Sequence, residues 1–445
     1  MRLIFYVFIL SLLSACGGGS GGDSSSSATP TTTTPTPTTT NPSTPVTAAL
    51  TKVMDYQNEQ GVSQVFNTHV IDLNGDGLDD VIVAGWAVQP SGYSASVNSK
   101  IPLKILIQQS NGSLLDKTDQ LLGAGNSMIF GAQRIIVEDF DANGKPDIFL
   151  GGFQDVPSQP AASVIFWNEG SSFTRADFSE SVWAHAACAA DLRGVGRKDL
   201  IMGAEGRRLN SIYVNNGNRS LTLSTTLISK YIGAGGACSV MKDSATGNIG
   251  IITTNYVGFN GYSGVMHIFD SQLNFIKSIG LPGSEEVGVA YNLVHDLVNI
   301  IQMDLNGDGL LDLVLTDNGN YRLPQANGSF IALINQGGFS FSNQTSTYFP
   351  NQTNDSIYGY FVRVLNLSGL QTIFVDNASP QSYASSSFWQ LSGNKFQKYL
   401  ASQMSSAIGS YQSPTVYQAS DGSLQLLLVD GSKYPKFTFY TKPVQ

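Results

Sequence analysis

Asp72-Leu73-Asn74-Gly75-Asp76-Gly77-Leu78-Asp79-Asp80 decides how this chain is read, because the stretch returns. At 304 the chain reads Asp304-Leu305-Asn306-Gly307-Asp308-Gly309-Leu310-Leu311-Asp312, and a looser copy stands at Asp139-Phe140-Asp141-Ala142-Asn143-Gly144-Lys145-Pro146-Asp147. In each copy oxygen-bearing side chains fall at positions 1, 3, 5 and 9, with Gly at position 6. Alternate residues of a tight loop turn their oxygens inward, and Gly permits the sharp turn that a side chain would hinder. Such a cage suits a hard cation with six to eight oxygen ligands, and calcium better than the smaller, strictly octahedral magnesium. The expected ligating sets are Asp72, Asn74, Asp76, Leu78 and Asp80; Asp304, Asn306, Asp308, Leu310 and Asp312; and, as a weaker third, Asp139, Asp141, Asn143, Lys145 and Asp147. Position 12 is Val83, Leu150 or Leu315, not the Glu of an EF-hand. Apolar runs follow where a helix would stand: Val81-Ile82-Val83, Ile148-Phe149-Leu150 and Leu313-Val314-Leu315. These are loops between strands. The alternative is an Asp-Asn-Gly turn that holds no metal.

Working outward, a second strand ending in a small or polar residue follows each loop position: Val81 to Gly85, Ile148 to Gly152, Leu200 to Ala204, Gly250 to Asn255, Leu313 to Asp317, Ile373 to Asp376 and Leu426 to Asp430. A polar loop, a third strand, a tight turn and a fourth strand come next. The turns stand at Asn111-Gly112, Asn168-Glu169-Gly170, Asn216-Gly217, Gln336-Gly337-Gly338 and Ser392-Gly393. Strands and Gly/Asn turns at this regular spacing signal an all-β fold, and four strands per unit signal propeller blades.

These units resemble the FG-GAP/VCBS repeats of integrin-α-type β-propellers, which carry Asp-x-Asn-Gly-Asp-Gly-x-x-Asp between the first and second strands of a blade. The resemblance covers about residues 47 to 445 and is specific in repeats one and five. It implies an all-β, seven-bladed propeller of four-stranded blades, with two or three structural calcium ions. In repeat three, Asp191 to Asp199, Arg193 and Val195 replace two ligands, so a guanidinium stands in for the cation and no metal is expected. Repeat four keeps the loop length without the ligands, and repeats six and seven shorten to hairpins. The last repeat lacks an outer strand. Val46 to Tyr56 is the natural supplier, since an open edge invites pairing with another chain.

The N-terminus reads as a targeting segment. Met1-Arg2, an apolar run from Leu3 to Leu13 and Ser14-Ala15-Cys16-Gly17 form a secretory signal too short to span a bilayer as a helix. Leu13-Ser14-Ala15-Cys16 also resembles the lipobox of bacterial lipoproteins. That implies a signal peptide over residues 1–15, cleavage before Cys16, lipid (palmitate included) on Cys16, and an outer-membrane address. Residues 16–46, the lipidated Cys with its Gly/Ser/Thr/Pro-rich run, are a tether that holds the folded part, residues 47–445, off the membrane.

No catalytic constellation emerges. The four His (His69, His185, His267, His295) lack metal-binding spacing, and no Ser stands in Gly-x-Ser-x-Gly. Cys188 and Cys238 fall at equivalent first-strand positions of neighbouring units. Equivalent positions point the same way, so two buried thiols are expected over a bridge. Asp317, Asp376 and Asp430 share one register at the end of the second strand, where capping of the following loop is the simplest role. The loops beyond carry Trp86, Phe153, Arg207, Arg208, Tyr256, Tyr321 and Arg322, side chains typical of recognition surfaces. The net charge of −9, without a Lys/Arg cluster, excludes a nucleic-acid surface. The expectation is a monomeric, calcium-stabilised, lipid-anchored module for binding or adhesion. It would take a protein or carbohydrate ligand on the face opposite the calcium loops, and touch the membrane through its lipid only. The alternatives are a lyase-like polysaccharide-active propeller and a scaffold subunit of an outer-membrane complex.

Overall fold

Short runs rich in β-branched and aromatic residues, broken by Gly and Asn, become strands, and the turn residues set where each run folds back. The computed structural model describes residues 49–57, 63–88, 100–152, 154–155, 158–182, 184–204, 211–224, 236–259, 261–285, 295, 297–318, 329–352, 361–367, 369–376, 386–400, 412–433 and 436–444. Among these, seven antiparallel four-stranded sheets carry nearly all of the regular structure. Among the described residues α-helix is confined to Thr118–Leu122 and Thr345–Tyr348.

Sheet 1 runs Ser63–Ile71, Asp80–Val88, Lys104–Gln108 and Leu114–Asp116. Sheet 2 is Ala132–Glu138, Asp147–Gly152, Ala161–Asn168 and Phe173–Val182, and sheet 3 is Ala184–Ala190, Asp199–Ala204, Ser211–Asn215 and Leu221–Leu223. Sheet 4 is Cys238–Lys242, Ile249–Phe259, Tyr262–Phe269 and Phe275–Gly280, and sheet 5 is Leu297–Met303, Asp312–Asp317, Ser329–Asn335 and Phe341–Asn343. Val362–Leu367, Leu370–Val375, Ser387–Ser392 and Lys395–Tyr399 form sheet 6. Sheet 7 takes Gln412–Gln418, Leu424–Lys433 and Lys436–Pro443 from the C-terminal part, and Thr51–Gln57 from the N-terminal part. Thr51 pairs with Thr441 and Gln57 with Lys436, so the edge of Lys436–Pro443 is covered.

Each sheet is apolar on both faces, because each is pressed between two others. Ile82 and Ile105 of sheet 1 share a buried cluster with Ile148 and Phe166 of sheet 2. Phe149 of sheet 2 meets Leu200 of sheet 3, and Ile201 of sheet 3 meets Ile251 of sheet 4. The pairing continues from sheet 4 to 5 (Ile252, Leu313), 5 to 6 (Phe330, Ile373) and 6 to 7 (Phe374, Leu426). A seventh cluster joins sheet 7 to sheet 1, with Phe439 and Leu427 against Phe66 and Val83. Tyr56, fully buried, sits edge-on to Phe66 at 5.4 Å and Phe437 at 6.3 Å, so the N-terminal strand is anchored in that last interface.

The first strands approach one another at the centre. Arg134, on the first strand of sheet 2, donates to the carbonyls of Gly236 and Val298, and its guanidinium lies 5.9 Å from the Phe361 ring centroid. Cys188 and Cys238 form a disulfide there, with Cα atoms 5.5 Å apart. This corrects the expectation of two thiols. Equivalent positions on neighbouring first strands do not diverge, because the strands converge towards the centre and bring the two Cα atoms into bridging range.

Residues 1–48, with the signal, Cys16 and the tether, lie outside the described residues; so do Phe153, Arg207, Arg208, Tyr321 and Arg322. Tyr256 falls within the described strand Ile249–Phe259. No helix among the described residues is long and apolar enough to cross a membrane.

Candidate metal centres

All three Asp-rich loops join the first strand of a sheet to its second. In each the same apolar position 2 is buried (Leu73, Phe140, Leu305), which pins the loop to the sheet below. Positions 4 and 6 are both left-handed: Gly75 and Gly77 at φ 80° and 83°, Gly307 and Gly309 at 77° and 83°. In the 139 loop Ala142 adopts φ 60° at position 4, a conformation that strains a residue with a Cβ.

This backbone turns its N–H groups onto the acidic side chains. The Asp72 carboxylate accepts from Gly75, Asp76 and Gly77 (2.7, 3.1 and 2.8 Å), and Asp304 accepts from Gly307 and Gly309 (2.7 and 2.9 Å). Asp139 takes Asn143 and Gly144 at 3.0 and 2.8 Å. Asn74 and Asn306 accept through Oδ1 from position 5 and donate to the carboxylates of Asp76 and Asp308 (3.0 and 2.8 Å).

Position 9 carries the loop into the fold. Asp80 is fully buried and accepts from Leu73 N (3.0 Å) and from Gln108 N on the third strand (2.8 Å). Asp147 repeats this with Phe140 and Asn168, and Asp312 with Leu305 and Asn335. Burial pushes the Asp80 and Asp147 carboxyls up to about 6, and the neighbouring charges of Asp76 and Asp72, or of Asp141, push the same way. The Asp312 carboxyl is raised by burial and by Asp308 and Asp304. Crowded carboxylates that repel one another are what a divalent cation relieves, and each donor oxygen has a second lone pair for it. The donor set therefore fits a calcium ion, held by positions 1, 3, 5 and 9 with the position-7 backbone. The ion would cross-link the two strands that flank the loop.

Asp139, Asp141 and Asp147 each present an oxygen within 4.8 Å of the other two. The third loop is not purely acidic, however. Arg219, from the last turn of sheet 3, binds Asp141 at 2.8 Å and Glu169 at 2.5 Å, so part of the negative charge is already met.

Repeat three shows the substitution carried through. Arg193 donates to both oxygens of Asp199 (3.1 and 2.9 Å) and to the carbonyl of Asn215, while Asp191 still accepts from Val195 and Gly196. A guanidinium occupies the loop where its relatives gather ligands.

Amides at the end of the third strand, of which the sequence marks only Asn168 as part of a turn, join the loops to neighbouring sheets. Asn168 Nδ2 donates to Pro146 O and also to Leu73 O of the preceding sheet; Asn215 Nδ2 donates to Lys198 O and Phe140 O. Gln108 Nε2 does the same for Asp79 O and Gln418 O of sheet 7. Their signal is an Asn or Gln closing the third strand, two to four residues before its Gly. Asp79 is a further link: its carboxylate takes Arg363 of sheet 6 and Gln418 N of sheet 7 (2.8 and 2.9 Å).

An FG-GAP-like repeat is found in residues 72–150. That span holds the first and third Asp-rich loops and the first complete passage from sheet 1 to sheet 2. No match occurs among curated proteins. Among solved structures, the chain is similar to BBS1N in a crystal structure of its complex with ARL6DN, soaked with mercury. The two share 9% identity over 89% of this chain and 98% of that one, with a TM-score of 0.42.

The remaining expected sites separate. Trp86, assigned to a ligand-facing loop, lies on the second strand of sheet 1 and is only 4% exposed, packed with Val65 and edge-on to Phe361 at 6.2 Å. Burial of its large ring in that small apolar cluster leaves it little surface to offer a ligand. Asp317 and Asp376 are buried. Asp317 meets His295 Nδ1 at 2.5 Å, and Asp376 accepts from Phe361 N at 3.1 Å, so each ties the end of a second strand to the approach to its first. His267 is buried in sheet 4 beside Ser278 at 2.8 Å, and His69 lines a cavity of about 200 Å³ with Arg363 and Asp376. Burial holds both imidazoles down to about 4, His69 with help from the Arg363 charge.

Proposed function

We propose that the chain is a calcium-stabilised interaction module, a seven-bladed propeller closed by its N-terminal strand and displayed at the cell surface on a lipidated Cys16. What carries this reading is the recurrence of one carboxylate-crowded loop at equivalent places in three sheets, with the 72–80 and 139–147 loops each tied to the next sheet by a third-strand amide. Ions committed to those loops fasten first strands to second strands. The opposite face, where second strands run into third strands, is left for a partner. An FG-GAP-like repeat on a propeller-like frame suits adhesion or complex formation, and the partner is a protein or glycan met through Phe153, Arg207, Arg208, Tyr256, Tyr321 and Arg322. Trp86 leaves this set because it is buried.

The test is a protein and glycan array probed with the full chain and with Arg208→Ala/Tyr321→Ala. Retained calcium-dependent melting with binding lost in the double variant is the expected result. Equal binding by both, with binding abolished by changes in the calcium-loop face that leave the fold intact, would place the partner on the wrong side. Anchoring is read separately: Cys16→Ser should leave the outer-membrane fraction, and a variant that still sediments with it contradicts the lipid anchor.

A further inference from the structure

At the rim between sheets 2 and 3 a groove of about 410 Å³ opens, lined by Trp167, Phe178, Glu180, Tyr213, Arg219 and Leu223 among others. Two local features open it. The outer strand of sheet 2 slips register: Asp177 pairs with Val164 and Ser181 with Ala162, which leaves Phe178, Ser179 and Glu180 bulged out of the ladder. The facing outer strand, Leu221–Leu223, is only three residues long and cannot cover the gap.

The floor of the groove holds an unmet hydrogen-bonding group. Tyr213 is 4% exposed, and its hydroxyl has no hydrogen-bond partner among the described residues. A buried hydroxyl left unpaired is costly, and such groups are rare enough to call for an explanation. Phe178 stands edge-on to Tyr213 with ring centroids 5.0 Å apart, so a second aromatic ring walls the groove beside the buried tyrosine. The cation of the groove is already spent: Arg219 binds Asp141 and Glu169, and its guanidinium carbon lies 5.7 Å from the Trp167 ring centroid. Asp177 is paired with Arg175. Glu180 is exposed and makes no ion pair among the described residues; its charge reaches Tyr213.

We infer that this groove is a binding site for a neutral pyranose. Its apolar and aromatic walls (Phe178, Leu223) match the C–H face of a sugar ring. The Tyr213 hydroxyl and the Glu180 carboxylate supply a donor and an acceptor for ring hydroxyls, and the volume lies within the range of small-ligand sites. An anionic sugar would meet Glu180 without a free cation to offset it. The inference does not rest on the proposed module.

Lactose, cellobiose, maltose and chitobiose are titrated into the full chain by saturation-transfer NMR, with 3′-sialyllactose as the charged counterpart. At least one neutral disaccharide should bind saturably, more tightly than sialyllactose, and at least tenfold more weakly to Phe178→Ala and to Tyr213→Phe. Without sugar, Tyr213→Phe should melt no lower than the parent, because it removes a buried group with nothing to bond. Absence of binding by all four disaccharides, undiminished binding by Tyr213→Phe, tighter binding of sialyllactose, or a lower melting temperature of unliganded Tyr213→Phe would each overturn the assignment. Calcium-dependent melting in the same samples keeps failure here distinct from failure of the module reading.

Discussion

Single residues in this molecule are held by specific costs, and two of them give direct tests. Ala142 takes a left-handed backbone at φ 60° where the 72–80 and 304–312 loops have Gly75 and Gly307. Ala142→Gly should therefore stabilise the protein by about 1 kcal/mol, read as a shift in the urea midpoint at unchanged slope. His267 is buried, and burial lowers its pKa from 6.5 to about 4. Between those values the unfolded chain takes up a proton that the folded chain refuses, so stability present above pH 6.5 is lost as the pH falls to 4. The shift corresponds to about 3 kcal/mol. Over that window the parent should lose about this much more stability than His267→Gln, measured by urea unfolding at a series of pH values. Parallel pH profiles would mean the imidazole is not held neutral.

At the scale of elements, the contacts that join one sheet to the next explain why some of the structure was legible and some was not. The Asp-x-Asn-Gly-Asp-Gly spacing is local, so the loops, their flanking strands and the guanidinium of Arg193 on Asp199 could be read from the sequence. What depended on the approach of separate elements could not. Asn168 and Asn215 look like ordinary turn residues, yet each reaches back to a loop of the preceding sheet. Trp86 looks like a loop residue because its burial is supplied by Phe361, far away in the chain. The Cys188–Cys238 bridge follows from the convergence of first strands, which no spacing displays. Asn215→Ala removes two amide donors from carbonyls in two sheets and should cost about 1–3 kcal/mol. Cys188→Ser/Cys238→Ser releases a crosslink over a sequence separation of 50 and should cost about 4 kcal/mol. Calorimetry of both variants against the parent reads these losses, and an unchanged melting temperature in either would show that the contact contributes nothing.

Across the whole molecule, stability is shared among sheets that each pack their apolar faces against two others, and the places where that chain of contacts is fastened matter most. One fastening is the N-terminal strand on Lys436–Pro443, with Tyr56 inserted among Phe66, Phe437 and Phe439. The other is the set of Asp-rich loops, where buried position-9 carboxylates lie beside others of the same charge. A cation bound there only in the folded state stabilises it by mass action, so stability must rise with free calcium. The most direct measurement is differential scanning calorimetry of the full chain in millimolar calcium and in excess chelator, alongside Asp76→Ala and Asp308→Ala. The melting temperature should be lower in chelator, with each variant losing part of the calcium-dependent increment and little of the stability that remains in chelator. A melting curve identical in calcium and chelator would contradict it.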